Sequence, residues 1–113
     1  MTTPIKVANC SGFYGDRLSA LKEQLEGGDV DVITGDYLAE LTMLILGMDT
    51  LRDADLGYAR TFLKQLEGTL GLAIDKGVKI VTNAGGLNPA GLATQVQKLA
   101  AELGVDAKVA HVE

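Results

Sequence analysis

The sequence predicts an α/β fold: an open, mostly parallel β-sheet of four strands with helices on both faces, in a Rossmann-like three-layer arrangement. Two observations lead to this prediction. Short apolar runs alternate with amphipathic stretches, which is the order that right-handed strand–helix–strand crossovers produce. The apolar runs are unbroken rather than alternating, as is typical of strands that helices cover on both sides. The predicted strands are residues 5–8, 30–33, 78–81 and 107–112.

Helical periodicity and capping residues place the predicted helices at about 16–25, 37–46, 58–74 and 89–103. The second helix is apolar almost all round, so it needs cover on several sides. The last predicted strand has no helix after it. We therefore expect that the protein forms an oligomer or that these 113 residues correspond to the front part of a longer domain.

The composition fits one small domain and excludes some partners. A chain of 113 residues suffices for a single core. The net charge of −5 and the lack of a basic cluster argue against nucleic acid and anionic membranes as partners. A single cysteine forms no intramolecular disulfide, and neither a secretory signal nor a membrane-spanning run is visible. These features predict a cytoplasmic location.

Three turns rich in small and polar residues follow the first three predicted strands, at residues 9–16, 34–40 and 82–89. In a parallel sheet these turns share the carboxyl edge, where ligands bind. Glycines permit positive φ and close approach of a ligand, and a helix start offers N–H groups to an anion. The alternative is that the glycines only form tight turns and that Asn88 only caps a helix. The predicted ligand-binding residues are Asn9, Ser11, Gly12, Asp36, Asn83, Gly85, Gly86 and Asn88.

Two residues are candidates for catalysis. Asp36, with Glu40 one helical turn away, is an acid–base candidate, and the alternative is a helix N-cap. Cys10 is a candidate nucleophile, and the alternative is a small buried filler. The lone His111 is interpreted as structural. No nucleotide fingerprint is present, and the sequence predicts neither a cofactor nor a metal site.

Four segments, ANCSGFYGDRLSA, DVITGDYLAELTMLIL, GYARTFLKQLE and KIVTNAGGLNPAGLA, resemble in order and spacing the amino-terminal region of the acyclic terpene utilisation AtuA family. The resemblance implies a role in the catabolism of acyclic terpenes such as citronellol and geraniol, through CoA thioesters and a biotin-dependent carboxylation. It also implies that the chain is the opening portion of a longer family domain. It transfers no catalytic residue. It transfers a pattern of polar turn residues: Asn9, Ser11, Gly12, Gly15, Asp16, Thr34, Gly35, Asp36, Asn83, Gly85, Gly86 and Asn88.

Two kinds of function remain open at this point. The first is an enzyme, or the site-bearing half of one, that binds a small anionic or acyl-CoA-type ligand at the three turns. The second is a non-catalytic interaction module whose apolar second helix docks onto another polypeptide of a carboxylase-type catabolic complex. The expected macromolecular partner is a second copy of the chain or a polypeptide that supplies the rest of the domain.

Overall fold

A computed structural model describes residues 3–113 of the protein as three parallel strands and five helices. The α/β class and the parallel pairing of the first three predicted strands are confirmed. The elements in chain order are β1 (Val7–Asn9), α1 (Ala20–Gly27), β2 (Val32–Gly35), α2 (Glu40–Arg52), α3 (Arg60–Glu67), α4 (Leu70–Asp75), β3 (Lys79–Thr82) and α5 (Pro89–Leu103).

The strand order β1-β2-β3 puts the connecting helices on one face of the sheet. Right-handed crossovers that step in one direction across a sheet all fall on the same side. On that side Ile33 is fully buried, with Ala8 and Ile80 beside it. On the other side Val7 and Val81 are 61% and 59% exposed. The predicted helices on both faces and the three-layer arrangement are therefore not confirmed: the described residues form two layers.

The core lies between the sheet and four of the helices. Apolar side chains at helical spacing on α1, α3, α4 and α5 bury themselves against the covered face, which is the expected role of an amphipathic helix. The buried residues that these helices contribute are Leu21, Leu25, Phe62, Leu66, Leu70, Ala73, Leu92, Val96 and Ala100.

The fourth predicted strand is not present among the described residues. Residues 107–112 form no ladder with β3. Ala107 and Val109 pack at the margin of the core, and Val112 and Glu113 reach the turn that follows β3. The alternating apolar side chains thus hold the segment alongside the core, but this pattern alone does not supply backbone pairing.

Two helix boundaries differ from the prediction for local reasons. The helix expected at 58–74 is divided at Gly68, a poor helix former, where the Thr69 hydroxyl donates to the Gln65 carbonyl at 2.6 Å. The first helix begins at Ala20 rather than near Asp16. The Asp16 carboxylate instead accepts the N–H of Gly12, which forms a turn.

Helix α2 runs from Glu40 to Arg52, whereas the sequence predicted 37–46 followed by a loop. Gly47 lies inside the helix without ending it, which an isolated glycine can do at a modest cost. By contrast, α5 matches the prediction: Asn88 accepts the N–H of Gly91, and Gly104 closes the helix with φ of 68°. No helix within residues 3–113 is long and apolar enough to cross a lipid bilayer.

Candidate functional site

The three polar turns lie side by side at the carboxyl edge of the sheet. We name them exit 1 (residues 9–16), exit 2 (34–40) and exit 3 (82–89). The Asp36 N–H donates to the Ser11 carbonyl at 3.0 Å, which joins exits 1 and 2. Asn83 joins exits 2 and 3, because its Oδ1 accepts the Tyr37 N–H at 2.8 Å and its Nδ2 donates to Asp36 Oδ1 at 2.8 Å. Parallel pairing thus brings most of the predicted site residues onto one edge.

Asp36 is an exposed carboxylate of this edge. Its Oδ1 accepts hydrogen bonds from Asn83 Nδ2 and from the Leu38 N–H at 3.3 Å. It is not the N-cap of α2, since that position belongs to Ala39. Glu40 is exposed as well. Among the described residues no group of three His, Cys, Asp or Glu side chains could hold a metal ion.

Exit 1 is filled by its own acidic residue. Asp16 Oδ2 accepts the Gly12 N–H at 2.9 Å, and Asp16 Oδ1 accepts the Arg17 N–H at 2.8 Å. These two N–H groups hold the pKa of Asp16 below its ordinary value. Ser11 is buried, and its hydroxyl donates to the Phe13 carbonyl at 3.0 Å. An anionic ligand at Gly12 would therefore have to displace the Asp16 carboxylate.

Packing within the chain accounts for both glycines of exit 3. A Cβ on Gly85 would lie 2.8 Å from Pro89 Cα. Gly86 has φ of +55°, and a Cβ there would lie 2.5 Å from Leu46 Cδ1 and 2.9 Å from the Gly57 carbonyl oxygen. Exit 3 consequently packs closely against α2 and the loop after it. Close approach of a ligand at these glycines stays a prediction.

Asn88 is fully occupied by bonds within the chain. Its Oδ1 accepts the Gly91 N–H at 2.9 Å, and its Nδ2 donates to the carbonyls of Asp55 and Leu56, each at 3.1 Å. The side chain thus caps α5 and ties exit 3 to the loop after α2. A cavity of about 430 Å³ opens beside this helix start, lined by Gly86–Ala90 and by Val112 and Glu113.

Cys10 belongs to a buried polar chain behind exit 1. The thiol is 4% exposed and lies 4.0 Å from the Tyr37 hydroxyl, which in turn donates to Gln65 Oε1. Burial raises the pKa of Cys10 and also that of Tyr37. A protonated, buried thiol is a poor nucleophile, so these findings favour the interpretation of Cys10 as a small buried residue.

Arg60 was missed by the sequence analysis. It follows Ala59, whose N–H donates to the Ala84 carbonyl of exit 3 at 2.8 Å. The Tyr14 hydroxyl of exit 1, which accepts a hydrogen bond from the guanidinium, and the nearby Asp49 carboxylate raise the pKa of Arg60. The side chain is 52% exposed, so the structure fixes a cation between exits 1 and 3. One sequence signal was available: a helix dipole disfavours arginine at the first position of a helix.

The carboxylate that holds Arg60 is almost fully buried. Asp49 is 2% exposed; its Oδ1 accepts from Arg52 Nη2 at 2.9 Å, and its Oδ2 lies 3.6 Å from Arg60 Nη2 without a hydrogen bond. The helix predicted from the sequence ended at about residue 46 and so did not include Asp49. Asp49 lies on the inner face of α2 because the helix extends farther than predicted.

Asn9 begins exit 1, where its Nδ2 donates to the Ser11 carbonyl at 2.9 Å, whereas His111 lies away from the exits. Asn9 is on the uncovered face of the sheet, where its Oδ1 accepts from the Thr34 hydroxyl at 3.2 Å. His111 is exposed beside Glu113 near the end of the chain. The described strand order also contains no reversal of direction, so no topological switch point contributes a crevice. The candidate site is formed by the three exits and by Arg60 beside them.

No curated protein and no solved structure matches this chain. A family-level match, described as Acyclic terpene utilisation family protein AtuA, extends over residues 5–113. That range includes the three exits, Asp49 and Arg60. The chain therefore belongs to the AtuA family of acyclic terpene utilisation proteins.

Proposed function

We propose that the chain takes part in acyclic terpene or acyl-CoA breakdown by binding a small anionic or acyl-CoA-type ligand at the carboxyl edge of the sheet. Family membership supports the terpene utilisation role. One observation carries the location: Asn83 bonds to both Tyr37 and Asp36 while Asp36 bonds to Ser11, so residues from three separate exits form one connected surface.

Arg60 is the residue we assign to the anion. Its planar guanidinium has five N–H donors in a geometry that suits phosphate and carboxylate groups. Asp49 approaches one edge of it without forming a hydrogen bond, and about half of the side chain faces solvent. The phosphates of a CoA thioester or the carboxylate of a terpenoid acid are groups that this cation would attract.

Asp36 is the acid–base candidate of the proposed site. The Asn83 amide and the Leu38 N–H fix the orientation of its carboxylate, as a positioned catalytic group requires. Cys10 has no role in this proposal because it is buried. If the ligand is chemically transformed, Asp36→Asn is expected to abolish turnover in a folded protein. Unchanged turnover on the natural substrate would remove Asp36 from this role.

The location is tested by titrating the ¹⁵N-labelled chain with coenzyme A and, separately, with isovaleryl-CoA. We expect the largest amide shift changes in exits 1, 2 and 3 and at Arg60 and Thr61. Shift changes confined to the amino edge of the sheet, or none at millimolar probe, would contradict the proposed site.

A pair of arginine variants tests the anion contact. Arg60→Gln removes a charge-assisted hydrogen bond, worth about 1.5 kcal/mol or more, so the Kd for coenzyme A should rise about tenfold. Arg52→Gln is the matched control, because Arg52 loses the same charge and contacts the same Asp49. Equal weakening by both variants would mean that the effect runs through Asp49 and the fold rather than through contact with the ligand.

A further inference from the structure

Helix α2 carries an exposed apolar stripe on its outer side. The stripe residues recur at the a and d positions of a heptad, with one further residue at e, which is the spacing of a helix–helix seam. Four of the five are more than half exposed, and Leu51 is 88% exposed. The stripe consists of Leu41, Leu44, Ile45, Met48 and Leu51.

The stripe is separate from the face that α2 turns toward its own chain. That inner face consists of the buried residues Thr42, Leu46 and Asp49. Leu46 packs toward Gly86, and Asp49 bonds to Arg52 and approaches Arg60. An amphipathic surface helix normally presents polar residues on its outer side. The helix therefore has a mixed inner face that the described chain covers and an apolar outer face that the described chain leaves exposed.

Gly47 leaves open space on this outer side of α2. It lies in the middle of α2, where glycine destabilises a helix relative to alanine. A Cβ at this position would meet nothing within 4 Å, so packing within the chain does not require a glycine. Because glycine has no Cβ, this position leaves room for the backbone of a neighbouring helix to approach closely.

The size of the stripe fits one half of a small dimer interface. The exposed fractions of the five residues amount to about three fully exposed side chains, or on the order of 300 Å² of apolar area. A standard interface buries ~800 Å² per partner, of which ~60% is apolar. The stripe alone supplies more than half of that apolar area, and the flanking polar residues of α2 would extend it.

Self-pairing also suits the charges at the two ends of the helix. Glu40 lies in the first turn and Arg52 in the last turn. In an antiparallel pair the acidic end of each helix lies level with the basic end of the other, and the two helix dipoles oppose each other favourably. A parallel pair would instead place like charges level with each other.

We propose that α2 pairs with α2 of a second copy of the chain, antiparallel about a two-fold axis near residue 46. Leu44 then faces Met48 of the partner subunit, and Leu41 faces Leu51 of the partner subunit. The contact is isologous, so it closes as a dimer and leaves no stripe exposed. This proposal does not depend on the ligand site at the carboxyl edge.

Sedimentation equilibrium of the full chain tests self-association at concentrations up to about 100 µM. We expect a dimer for the wild type, and at least a tenfold rise in the dimer Kd for Leu44→Glu and for Met48→Lys, since either variant buries a charge in the seam. Leu103→Glu is the control, because Leu103 is 43% exposed but lies on α5. A monomeric wild type, or a dimer that neither stripe variant weakens, would overturn the proposal.

Cross-linking tests the direction of the pair, because Cys10 is 4% exposed and should not compete. The Leu41→Cys and Leu51→Cys chains are mixed, oxidised and resolved by mass. The antiparallel pair predicts a mixed disulfide and little Leu41→Cys homodimer, whose two sulfurs would lie about 15 Å apart along the axis at 1.5 Å per residue. Predominant disulfide homodimers of either variant would overturn the antiparallel arrangement.

Discussion

Asn83 and Asp36 are joined by a 2.8 Å hydrogen bond from the Asn83 side-chain amide to the Asp36 carboxylate, across 47 residues of sequence. The same Asn83 side chain accepts the Tyr37 N–H. One amide therefore uses both its donor and its acceptor to hold exit 2 against exit 3. This arrangement makes the position of Asp36 depend on a residue of a different exit.

Two substitutions at Asn83 should separate these two bonds. Asn83→Ala removes both, and we expect a loss of about 1–2 kcal/mol in the free energy of unfolding and faster exchange of the Tyr37 amide hydrogen. Asn83→Asp keeps an acceptor for Tyr37 but places a second carboxylate against Asp36. The like charges raise the pKa of the pair, so this variant should regain stability relative to the wild type as the pH falls. If the Tyr37 amide hydrogen exchanged as slowly in Asn83→Ala as in the wild type, the hydrogen bond from the Tyr37 N–H to the Asn83 side chain would be contradicted.

Gly86→Ala should destabilise the protein by about 2 kcal/mol, because Gly86 has a positive φ and a Cβ would also press on Leu46 and the Gly57 carbonyl. Gly77→Ala is the matched control: its φ is +68°, but nothing lies within 4 Å of the added Cβ. Gly77→Ala should lower the free energy of unfolding by only about 1 kcal/mol. Urea unfolding measures both, and equal losses would mean that exit 3 is not closely packed against α2.

The free energy of unfolding should change by different amounts when the negative charge of Asp49 is removed and when the positive charges of Arg52 and Arg60 are removed. Asp49→Asn leaves Arg52 and Arg60, whose side chains are 76% and 52% exposed, free to be hydrated. We expect a change of about 1 kcal/mol or less in the free energy of unfolding. The double substitution Arg52→Gln and Arg60→Gln leaves a buried, unpaired carboxylate and should cost about 3 kcal/mol. Equal costs in urea unfolding would show that Asp49 is hydrated in the folded protein.

Acid should weaken the fold partly through Asp16. The N–H groups of Gly12 and Arg17 lower its pKa in the folded protein below the ordinary value of 3.8. A lowered folded pKa contributes stability above the unfolded pKa and loses it as the pH falls through the folded value. Asp16→Asn should therefore unfold with a shallower dependence on pH between about pH 4 and about pH 2 than the wild type. Asp106→Asn, a change at another exposed carboxylate, is the control, and identical slopes for wild type and Asp16→Asn would contradict the role of Asp16.

Local patterns sufficed for much of this fold. The apolar runs located the three strands, and the Asn88-Pro89 start and the Gly104 end of α5 followed from helix-capping chemistry. The parallel order of the strands then placed exits 1, 2 and 3 on one edge. These features depend on neighbours in sequence or on general rules of chain connection, which is why the sequence alone indicated them.

The features that sequence reasoning missed depend on contacts between distant residues. Val7 and Val81 are apolar, as is typical of strand positions that a helix covers. The sequence pattern does not show that their face of the sheet lacks a helix layer. The Asp49–Arg60 contact needs the true end of α2, and Gly47 made that helix look shorter than it is. The need for glycine at position 86 comes from close packing against Leu46 of α2. The sequence of the turn does not reveal this contact, because Leu46 belongs to another element.

The uncovered face of the sheet ends at the same edge as the three exits, with Asn9 and Thr34 in its last row. Any layer laid over this face, from whatever polypeptide, would border the candidate site and complete one of its walls. Thermodynamic reciprocity then applies: a ligand that makes favourable contacts with both the exits and the added layer strengthens attachment of that layer by the same factor by which the layer strengthens binding of the ligand. For such a ligand, the affinity measured for the bare sheet would be lower than the affinity of the assembly.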